Sequence, residues 1–495
     1  MGLSTSVHEL KNLVLSLHPV VAIETGEEER VERLVEAAAA DLGLPVFEWS
    51  VTQGLVRWPE RTPNHTLREA VAMLAHLRGL TVEAIFLLKD LGRHLEDPTA
   101  ARAFAEVARA FARTRSTLVV AGAAVRFPAE LEHLVVHFEL ALPGPKELRD
   151  VVESVASSLG ERGKAEIRLS EAETEELVRA LAGLTLNQAR QAVARAVLED
   201  GALDASDLHA ILEAKAQALA RDGLLEFLPA ADNAFELGGF PRLKEWLERA
   251  RVGFTPEARA LNLRAPRGIL LAGVQGCGKS LAAKCIARLW RLPLLKLDAG
   301  RLYDKYVGET EKNLRRAIEI AESMAPAALW IDELEKSFGA GGGEHDGGTS
   351  KRVLATFLTW LQEKKEDVFV VATANDVFAL PPELLRKGRF DELFFVDLPD
   401  RAERQEILRI HLSLRKQDPA RFDVEFLADA MEGWSGAEIE QAVTAALYGA
   451  LHRKRPLDTT ALLQEIGGTV PLSVSRREDV ERLRALAQGR FVPVR

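Results

Sequence analysis

The chain has 495 residues, of which 47% are hydrophobic and 28% charged, a globular composition long enough for about two to four domains. The formal net charge of -10 argues against a general attraction to nucleic acid or to an anionic membrane. The only cysteines, Cys277 and Cys285, cannot form a disulfide framework, and no apolar run approaches the ~20 residues that span a bilayer. We therefore expect a soluble cytoplasmic protein.

The first predicted elements are a strand, a tight turn and a helix within VVAIETGEEERVERLVEAAA, residues 20–39. This order is typical of a phosphate-binding unit, yet the turn carries Glu27, Glu28 and Glu29. Three carboxylates at a helix start stabilise the helix through its dipole. They also repel a triphosphate, because like charges about 4 Å apart cost on the order of a kcal/mol even in water. The turn therefore predicts a phosphate-loop shape without nucleotide binding. Further along the chain, residues 204–228 predict a linker helix capped by Asp204 or Ser206.

The strongest motif is RGILLAGVQGCGKSLAAKCIARLW, residues 267–290. Glycines let a backbone wrap so that its N–H groups point at phosphate oxygens, and the following helix adds its positive end. Lys279 is expected to reach the β- and γ-phosphates, and Ser280 to ligate Mg²⁺. A chance glycine-rich turn is disfavoured because a strand precedes the motif and a helix follows it. The predicted nucleotide-binding residues are Gly273, Val274, Gln275, Gly276, Cys277, Gly278, Lys279, Ser280 and Leu281.

Polar residues end the next two apolar strands. AALWIDELEK, residues 327–336, stops being apolar at Asp332 and Glu333. Asp332 is expected to hold Mg²⁺ through water and Glu333 to activate the attacking water, which is the pairing that phosphoryl transfer needs. The strand VFVVATAND, residues 368–376, places Asn375 where its amide could hold the same water. An acidic pair after a strand is commonly only a solvated strand end, but downstream of a phosphate loop the catalytic interpretation is favoured.

Two arginines follow in PPELLRKGRFDELFF, residues 381–395. Arg386 and Arg389 lie on a segment that we expect to be exposed. A surface basic pair is the ordinary interpretation. The functional one is a pair of arginine fingers that act on the γ-phosphate of a neighbouring subunit, a contribution of about 10³ to 10⁵ in rate.

These motifs, in this order and together with GWSGAEIEQAV at residues 433–443, resemble an AAA+ ATPase over residues 233–450. The last stretch is similar to the clade without a sensor-2 arginine, in which Gly436 and Ala437 let the helical lid approach the adenine. The whole-chain layout resembles the AAA proteins encoded as chloroplast and cyanobacterial open reading frames. The resemblance implies ATP and Mg²⁺ as cofactors and a homo-oligomeric ring, with six subunits as the usual number.

The resemblance also implies a pore loop between the phosphate loop and Asp332. Its residues would be Lys305, Tyr306, Val307 and Gly308, with Tyr306 and Val307 gripping an extended polypeptide and Gly308 letting the loop bend. The alternative for Tyr306 is a partly buried ring with a wet hydroxyl. The glycine-rich residues 339–349 predict a mobile loop.

The first half repeats the elements of the second in the same order. AIFLLKDL (84–91) aligns with ALWIDEL (328–334), and GLTLNQARQAV (183–193) aligns without a gap with GWSGAEIEQAV. The catalytic positions are lost: Lys89 stands where Asp332 would be, and Ala124 occupies the sensor position. The alternative is that any two α/β domains have similar strand endings. We interpret the first half as a degenerate duplicate.

These observations predict an α/β fold class: a P-loop AAA+ parallel sheet core with a helical lid, preceded by a degenerate AAA-like α/β domain with its own helical lid. The predicted segments are the degenerate core at 1–145, its lid at 146–200, a helical linker at 201–234, the ATPase core at 235–400, its lid at 401–454 and a C-terminal tail at 455–495.

The leading functional hypothesis is an ATPase that remodels or threads an unidentified protein client through its ring. The second is a nucleotide-dependent scaffold or switch in which ATP binding controls assembly. A nucleic-acid motor is disfavoured by the acidic balance and by the lack of interleaved aromatic and basic residues.

Overall fold

A computed structural model of the chain describes residues 3–160, 166–167, 169–228, 237–298, 302, 309–338, 349–386 and 388–495. The chain forms two compact units, Met1–Ile211 and Leu212–Arg495. Each unit contains its own parallel sheet and helices. None of the helices described in these ranges is long and apolar enough to cross a membrane.

The strands of the first unit are β1 (Val20–Glu24), β2 (Val46–Ser50), β3 (Gly54–Arg57), β4 (Ile85–Lys89), β5 (Thr117–Gly122), β6 (Val135–Phe138), β7 (Glu166–Ile167) and β8 (Ala202–Leu203). The main sheet has the order β3-β2-β4-β5-β1-β6, and β7 and β8 pair separately. Its neighbours are parallel except for the β2–β3 hairpin at one edge.

The helices of the first unit are α1 (Leu3–Leu15), α2 (Glu28–Leu42), α3 (Ala70–Gly79), α4 (Pro98–Phe111), α5 (Pro145–Gly160), α6 (Glu171–Leu181) and α7 (Leu186–Asp200), and α8 (Asp207–Asp222) begins in the first unit and ends in the second. Both faces of the sheet are buried, which is why its strands are continuously apolar. Val20 and Ala22 pack into one core and Val21 and Ile23 into the other, because successive side chains point to opposite faces.

The strands of the second unit are β9 (Leu225–Leu228), β10 (Gly268–Gly273), β11 (Leu294–Leu297), β12 (Ala327–Ile331), β13 (Val368–Ala374), β14 (Glu392–Val396) and β15 (Val492–Pro493). They form one sheet in the order β15-β14-β10-β13-β12-β11-β9. Only the β9–β11 pair is antiparallel. The sequence β11-β12-β13-β10-β14 repeats β2-β4-β5-β1-β6 of the first unit, and the predicted α/β fold class is confirmed.

The helices of this unit are α9 (Pro241–Arg251), α10 (Pro256–Ala260), α11 (Lys279–Trp290), α12 (Glu309–Ser323), α13 (Leu334–Phe338), α14 (Thr349–Glu363), α15 (Arg401–Leu414), α16 (Val424–Ala430), α17 (Gly436–His452), α18 (Thr459–Gly468), α19 (Leu472–Ser475) and α20 (Arg477–Ala487). Trp290 and Phe369 pack against each other within the core on one face of the sheet, with ring centroids 4.5 Å apart and ring planes inclined by 59°. Helices α15 to α18 form a separate lid with its own core.

Two predicted boundaries differ from the structure. The predicted linker helix over 204–228 is wrong for its last residues, because α8 ends at Asp222 and β9 follows. Gly223 has a φ of 76°, which ends the helix, and Leu225 and Phe227 are buried on either side of the exposed Glu226. This alternation of burial is typical of an edge strand.

The stretch 455–495, predicted as a tail, is folded into the second unit. Leu462 and Ile466 of α18 lie in the lid core, and β15 pairs with β14 at the sheet edge. The C-terminal residues therefore contribute both to the lid and to the sheet that carries the site described next.

Candidate active site

The predicted phosphate loop connects a central strand to a helix. β10 ends at Gly273 and α11 begins at Lys279, so residues 274–278 form the loop. Gly273 has a φ of 143°, and a Cβ there would lie 2.1 Å from the carbonyl oxygen of Val396. Gly276 has a φ of 78° and faces the Ser435 hydroxyl. Because a side chain would be strained at both positions, the loop conformation depends on glycine.

The side chain of Lys279 is folded into this loop. Its Nζ donates hydrogen bonds to the carbonyl oxygens of Gly273 and Val274, at 2.9 and 2.7 Å, and the residue is only 5% exposed. Burial lowers the pKa of Lys279 to about 8. The amine therefore lies in the concavity that anionic oxygens would enter, and it is held there by neutral carbonyl partners that a phosphate could replace.

The structure brings Ser280 and Asp332 together. The Ser280 Oγ donates to Asp332 Oδ1 at 3.1 Å, where the first turn of α11 meets the end of β12. The second carboxylate oxygen, Oδ2, has Lys296 Nζ at 3.8 Å. Oxygen ligands of this kind suit Mg²⁺, which usually takes one or two protein oxygens and completes its shell with phosphate and water. The residues present therefore fit a magnesium–nucleotide complex.

Glu333 and Asn375 are also in contact. The Asn375 Nδ2 donates to Glu333 Oε1 at 3.0 Å, and Lys336 Nζ lies 2.5 Å from Oε2 of the same carboxylate. Asn375 is fixed in turn because its backbone N–H donates to Glu335 Oε1 at 3.0 Å. A carboxylate and an amide at the ends of adjacent parallel strands can hold one water between them.

A cavity of about 550 Å³ is lined by Lys279, Ser280, Asp332, Glu333 and Asn375. Part of its wall is apolar and comes from elements outside the phosphate loop. Gly436 and Ala437 of α17 line it, and the Ala437 N–H donates to the Gly276 carbonyl at 2.9 Å. The additional apolar residues, which sequence reasoning missed, include Leu237, Phe240, Ile407, Ile410 and Leu414.

The C-terminal segment also reaches this cavity. Val494 and Arg495 line it, and the Arg495 guanidinium donates to the Leu398 carbonyl at 2.9 Å and to Glu403 at 3.0 Å. No local pattern near residue 495 predicts this contact, because its partners lie more than ninety residues earlier in the chain. For the apolar wall of the cavity, the sequence offered one signal, which is the helical spacing of Ile407, Ile410 and Leu414 along α15.

The two predicted arginine fingers do not line the cavity of their own chain. Arg386 is exposed after the short 3₁₀ turn Pro382–Leu385, whereas Arg389 donates to the Glu383 carbonyl. The segment is tied to the sheet because Asp391 accepts from the Gly268 N–H at 2.9 Å. Arg386 is therefore the arginine of the pair that is presented outward. The predicted pore-loop residues Lys305, Tyr306, Val307 and Gly308 lie outside the described residues, as do residues 339–348 of the predicted mobile loop.

In the first unit, buried ion pairs stand at the corresponding place. Between β1 and α2 there are three residues, 25–27, against five in the second unit, which leaves too little chain to wrap a phosphate. Glu27 is buried, and its carboxylate accepts from the Leu186 N–H at 2.7 Å and from Arg30 at 3.0 Å. Arg30 is 1% exposed and also donates to Glu147 at 3.1 Å. Glu27 is therefore a paired, buried group and not part of an open acidic cluster.

Lys89 is the residue that the sequence aligns with Asp332, the aspartate assigned to the metal in the second unit. Its Nζ lies 2.6 Å from Glu32, 2.8 Å from Glu48 and 3.4 Å from Glu28. Burial alone lowers the pKa of Lys89, but hydrogen bonds to Glu32 and Glu48 raise it overall. Lys89 thus places a positive charge among these carboxylates, and a positive charge there repels Mg²⁺.

Three features define a P-loop ATPase of the AAA type. A phosphate loop that contains a lysine follows the central strand β10, an acidic pair follows β12, which lies two strands away in the sheet, and a helical lid lies over the pocket. Residues 269–398 match the ATPase family associated with various cellular activities (AAA). Residues 6–140 match the SpoVK-like AAA ATPase N-terminal domain, and residues 146–222 match the SpoVK-like AAA ATPase second domain.

The chain is also similar to individual proteins. It is 37% identical over 485 residues to the AAA domain-containing protein ycf46 of Trieres chinensis, covering 97% of this chain and 96% of that protein. With ycf46 of Guillardia theta the identity is 35% over 481 residues, covering 96% and 94%. A cell division cycle protein 48 homolog of Archaeoglobus fulgidus is 36% identical over 212 residues, 41% of this chain and 28% of that protein. The chain belongs to the AAA ATPase family, and it shares nearly its whole length with the plastid ycf46 proteins.

Proposed function

We propose that this protein hydrolyses ATP with Mg²⁺ and uses the energy to remodel or thread a protein partner as a homo-oligomeric ring, with the hexamer as the number that the resemblance implies. The observation that supports hydrolysis best is the convergence of Ser280 on Asp332 and of Asn375 on Glu333 beside the lysine loop. Those contacts bring together the groups for phosphoryl transfer that a single chain supplies, and the arginine fingers of the neighbouring subunit are added to them.

The chain's own residues have separable roles in this proposal. Lys279 exchanges its two carbonyl partners for phosphate oxygens, and Ser280 and Asp332 hold the ion. Mg²⁺, when bound, supplies positive charge that offsets the negative charge on the phosphate oxygens. Glu333 accepts a proton from the attacking water, which Asn375 helps to orient. Gly436 and Ala437 let the helical lid approach the adenine. Arg386 and Arg389 act on the γ-phosphate held by a neighbouring subunit.

The first unit, in this proposal, is an inactive core (1–145) and lid (146–200) kept as architecture. The reducing cytoplasm is the compartment that fits a chain whose only two cysteines are Cys277 and Cys285. Neither a nucleic-acid partner nor a membrane span is part of the proposal.

The site assignment is tested by ATP turnover of Lys279→Ala and Glu333→Gln chains. We expect each to lose about 10² to 10⁴ in turnover, because one lacks the phosphate-binding cation and the other its general base. Glu333→Gln is expected to retain ATP binding, since it keeps the loop intact. Lys244→Ala and Glu425→Gln, exposed changes of the same types, are the controls. Turnover that persists in both site variants would refute the assignment.

ATP affinity is expected to fall about tenfold between pH 7 and pH 9. The Lys279 pKa of about 8 means that its ammonium form, which attracts phosphate, is largely lost across this interval. Fluorescent-nucleotide titrations at several pH values measure the fall. Lys279→Arg is the matched control, because a guanidinium stays charged at pH 9. An equal fall in the arginine variant would show that another group is responsible.

The scaffold or switch remains the second candidate, and the ion pairs that fill the first unit's former site favour it, since that unit carries no chemistry of its own. Mass photometry with and without ATP, combined with a peptide-unfolding assay, separates the two functions. Unfolding that is lost in Tyr306→Ala supports the remodeller. ATP-dependent assembly with no work on any peptide supports the scaffold.

A further inference from the structure

Thr373 connects the two acidic residues of the site through a single hydroxyl. It is the next-to-last residue of β13 and is 2% exposed. Its Oγ1 donates to Asp332 Oδ1 at 2.6 Å and accepts from the Glu333 backbone N–H at 3.1 Å. One buried side chain therefore contacts both the residue assigned to the ion and the residue assigned to the water.

The direction of these hydrogen bonds is fixed by chemistry. A backbone N–H can only donate, so the Thr373 oxygen must accept from Glu333. The one proton of the hydroxyl is then directed to Asp332 Oδ1, which also accepts from Ser280 at 3.1 Å. Both donors therefore contact Oδ1, whereas Oδ2 lies 3.8 Å from Lys296 Nζ.

The bond to Glu333 holds an unusual backbone. Glu333 has a φ of 49°, a left-handed conformation that a non-glycine residue adopts at an energetic cost. Since its N–H is anchored to Thr373, the conformation that aims the Glu333 carboxylate at Asn375 has a specific support.

The first unit provides an internal comparison. There Asp90 also has a positive φ, of 54°, and it follows Lys89, which pairs in register with Ala121. In the second unit Ile331 pairs with Ala372, so Asp332 and Thr373 are the next pair along. At these positions lysine stands in place of the aspartate and alanine in place of the threonine, so the hydroxyl is absent from the unit that has no ion to position. The same register places Ala123, and not the predicted Ala124, at the position of Asn375.

We propose that Thr373 is a positioning residue for the metal-dependent part of the reaction: it orients Asp332 toward Mg²⁺ and fixes the backbone of Glu333. The proposal rests on the proposed ATPase function. A side chain that orients a metal-holding carboxylate commonly changes metal affinity by 10- to 100-fold when it is removed. Nucleotide binding without the ion does not involve the hydroxyl.

The test compares Thr373→Val, which keeps the branched shape and removes the hydroxyl, with Thr373→Ser, which keeps the hydroxyl. Fluorescent ADP is titrated in EDTA and then at graded Mg²⁺ concentrations, and ATP turnover is measured over the same Mg²⁺ series. For Thr373→Val we expect the affinity for ADP in EDTA to lie within about twofold of wild type. The Mg²⁺ concentration that gives half of the maximal change in ADP affinity or in ATP turnover is expected to rise at least tenfold. Thr373→Ser is expected to return toward wild type.

A Thr373→Val chain with the Mg²⁺ dependence of wild type overturns the proposal, as does an equal loss of affinity in EDTA, which would indicate a damaged pocket. If Thr373→Val does not fold, judged by circular dichroism, Thr373→Ala is measured instead against Thr373→Ser. The failure of the proposed function is distinguishable, because a wild-type chain without turnover still reports Mg²⁺-dependent ADP binding.

Discussion

Mixing chains that carry Arg386→Ala with chains that carry Lys279→Ala is expected to restore ATP turnover that neither variant has alone. The first variant keeps its pocket but lacks the finger, and the second lacks its pocket cation but keeps the finger. When the two assemble, an intact pocket meets an intact finger at some interfaces. The expected loss in each separate variant is large, about 10³ to 10⁵ for a missing finger.

The geometry of the described residues supports this expectation. Arg386 is exposed and does not line the cavity of its own chain, so the nucleotide that it is placed to contact is one held by a neighbouring subunit. The segment that carries Arg386 is held in place by β14 and by the hydrogen bond from the Gly268 N–H to Asp391. These contacts limit how far Arg386 could move toward the pocket of its own chain. Arg389, whose guanidinium is bonded to the Glu383 carbonyl, is expected to respond less than Arg386 in the same mixture.

The measurement needs proof that the two variants assemble together. Chains with different affinity tags are mixed, co-purified and assayed for ATP turnover at several ratios. Arg421→Ala, an exposed arginine of the lid region, replaces Arg386→Ala in the control and is expected to be fully active alone. Co-purified chains without recovered turnover would remove the support for a site shared between subunits.

The acidic pair and the asparagine of the site are predictable because they follow strand ends. Asp332, Glu333 and Asn375 each come directly after an apolar run, and the carboxyl ends of parallel strands meet at one edge of a sheet. The glycines and lysine of the loop are predictable for a similar reason, since the motif lies between a strand and a helix. Their identity and order carry nearly all of the information.

Thr373 and the C-terminal segment were not predictable in this way. Thr373 lies inside a buried strand, where a threonine is commonly only a strand former, and its role depends on a contact with Asp332. Arg495 reaches the pocket through contacts with Leu398 and Glu403. β9 has only four residues, too few for a periodic pattern to separate a strand from the end of a helix.

The glutamates of the first turn illustrate the same limit. Their number predicts repulsion of a triphosphate, but the sequence does not identify the partners that neutralise them. Glu27 pairs with Arg30 one turn further along α2, and Arg30 pairs with Glu147, 117 residues away. Occupied space and a short loop therefore argue against a nucleotide in this unit, in addition to charge repulsion.

This arrangement leads to the second large effect. Arg30→Met is expected to destabilise the first unit by about 3–5 kcal/mol, the range found when one partner of a buried ion pair is removed. Arg30 is 1% exposed, and its loss leaves the carboxylates of Glu27 and Glu147 without the cation that compensates their burial. The cost comes from the charges that remain, because methionine itself fills a similar volume.

Hydrogen exchange of the full chain, followed in peptides from α2 and α7, measures the effect within the first unit. Arg33→Met lies on the exposed face of the same helix and is expected to change stability by less than about 0.5 kcal/mol. The triple change of Arg30→Met, Glu27→Gln and Glu147→Gln is expected to recover part of the loss, because it leaves no buried charge unpaired. A loss no larger in Arg30→Met than in Arg33→Met contradicts the structural role of the pair.

Nucleotide titration of the Lys279→Ala chain completes the argument about the first unit. If Glu27 and Arg30 occupy the space that a phosphate would need, this chain should show no saturable ATP binding anywhere. Its working loop has lost its cation, and the cations of the duplicate, Arg30 and Lys89, are already paired with carboxylates. Saturable binding that disappears when Arg30→Met is added would place a nucleotide against residues 26–30. The first unit would then be a second nucleotide site, and its ion pairs would be ligands instead of a filling for a lost pocket.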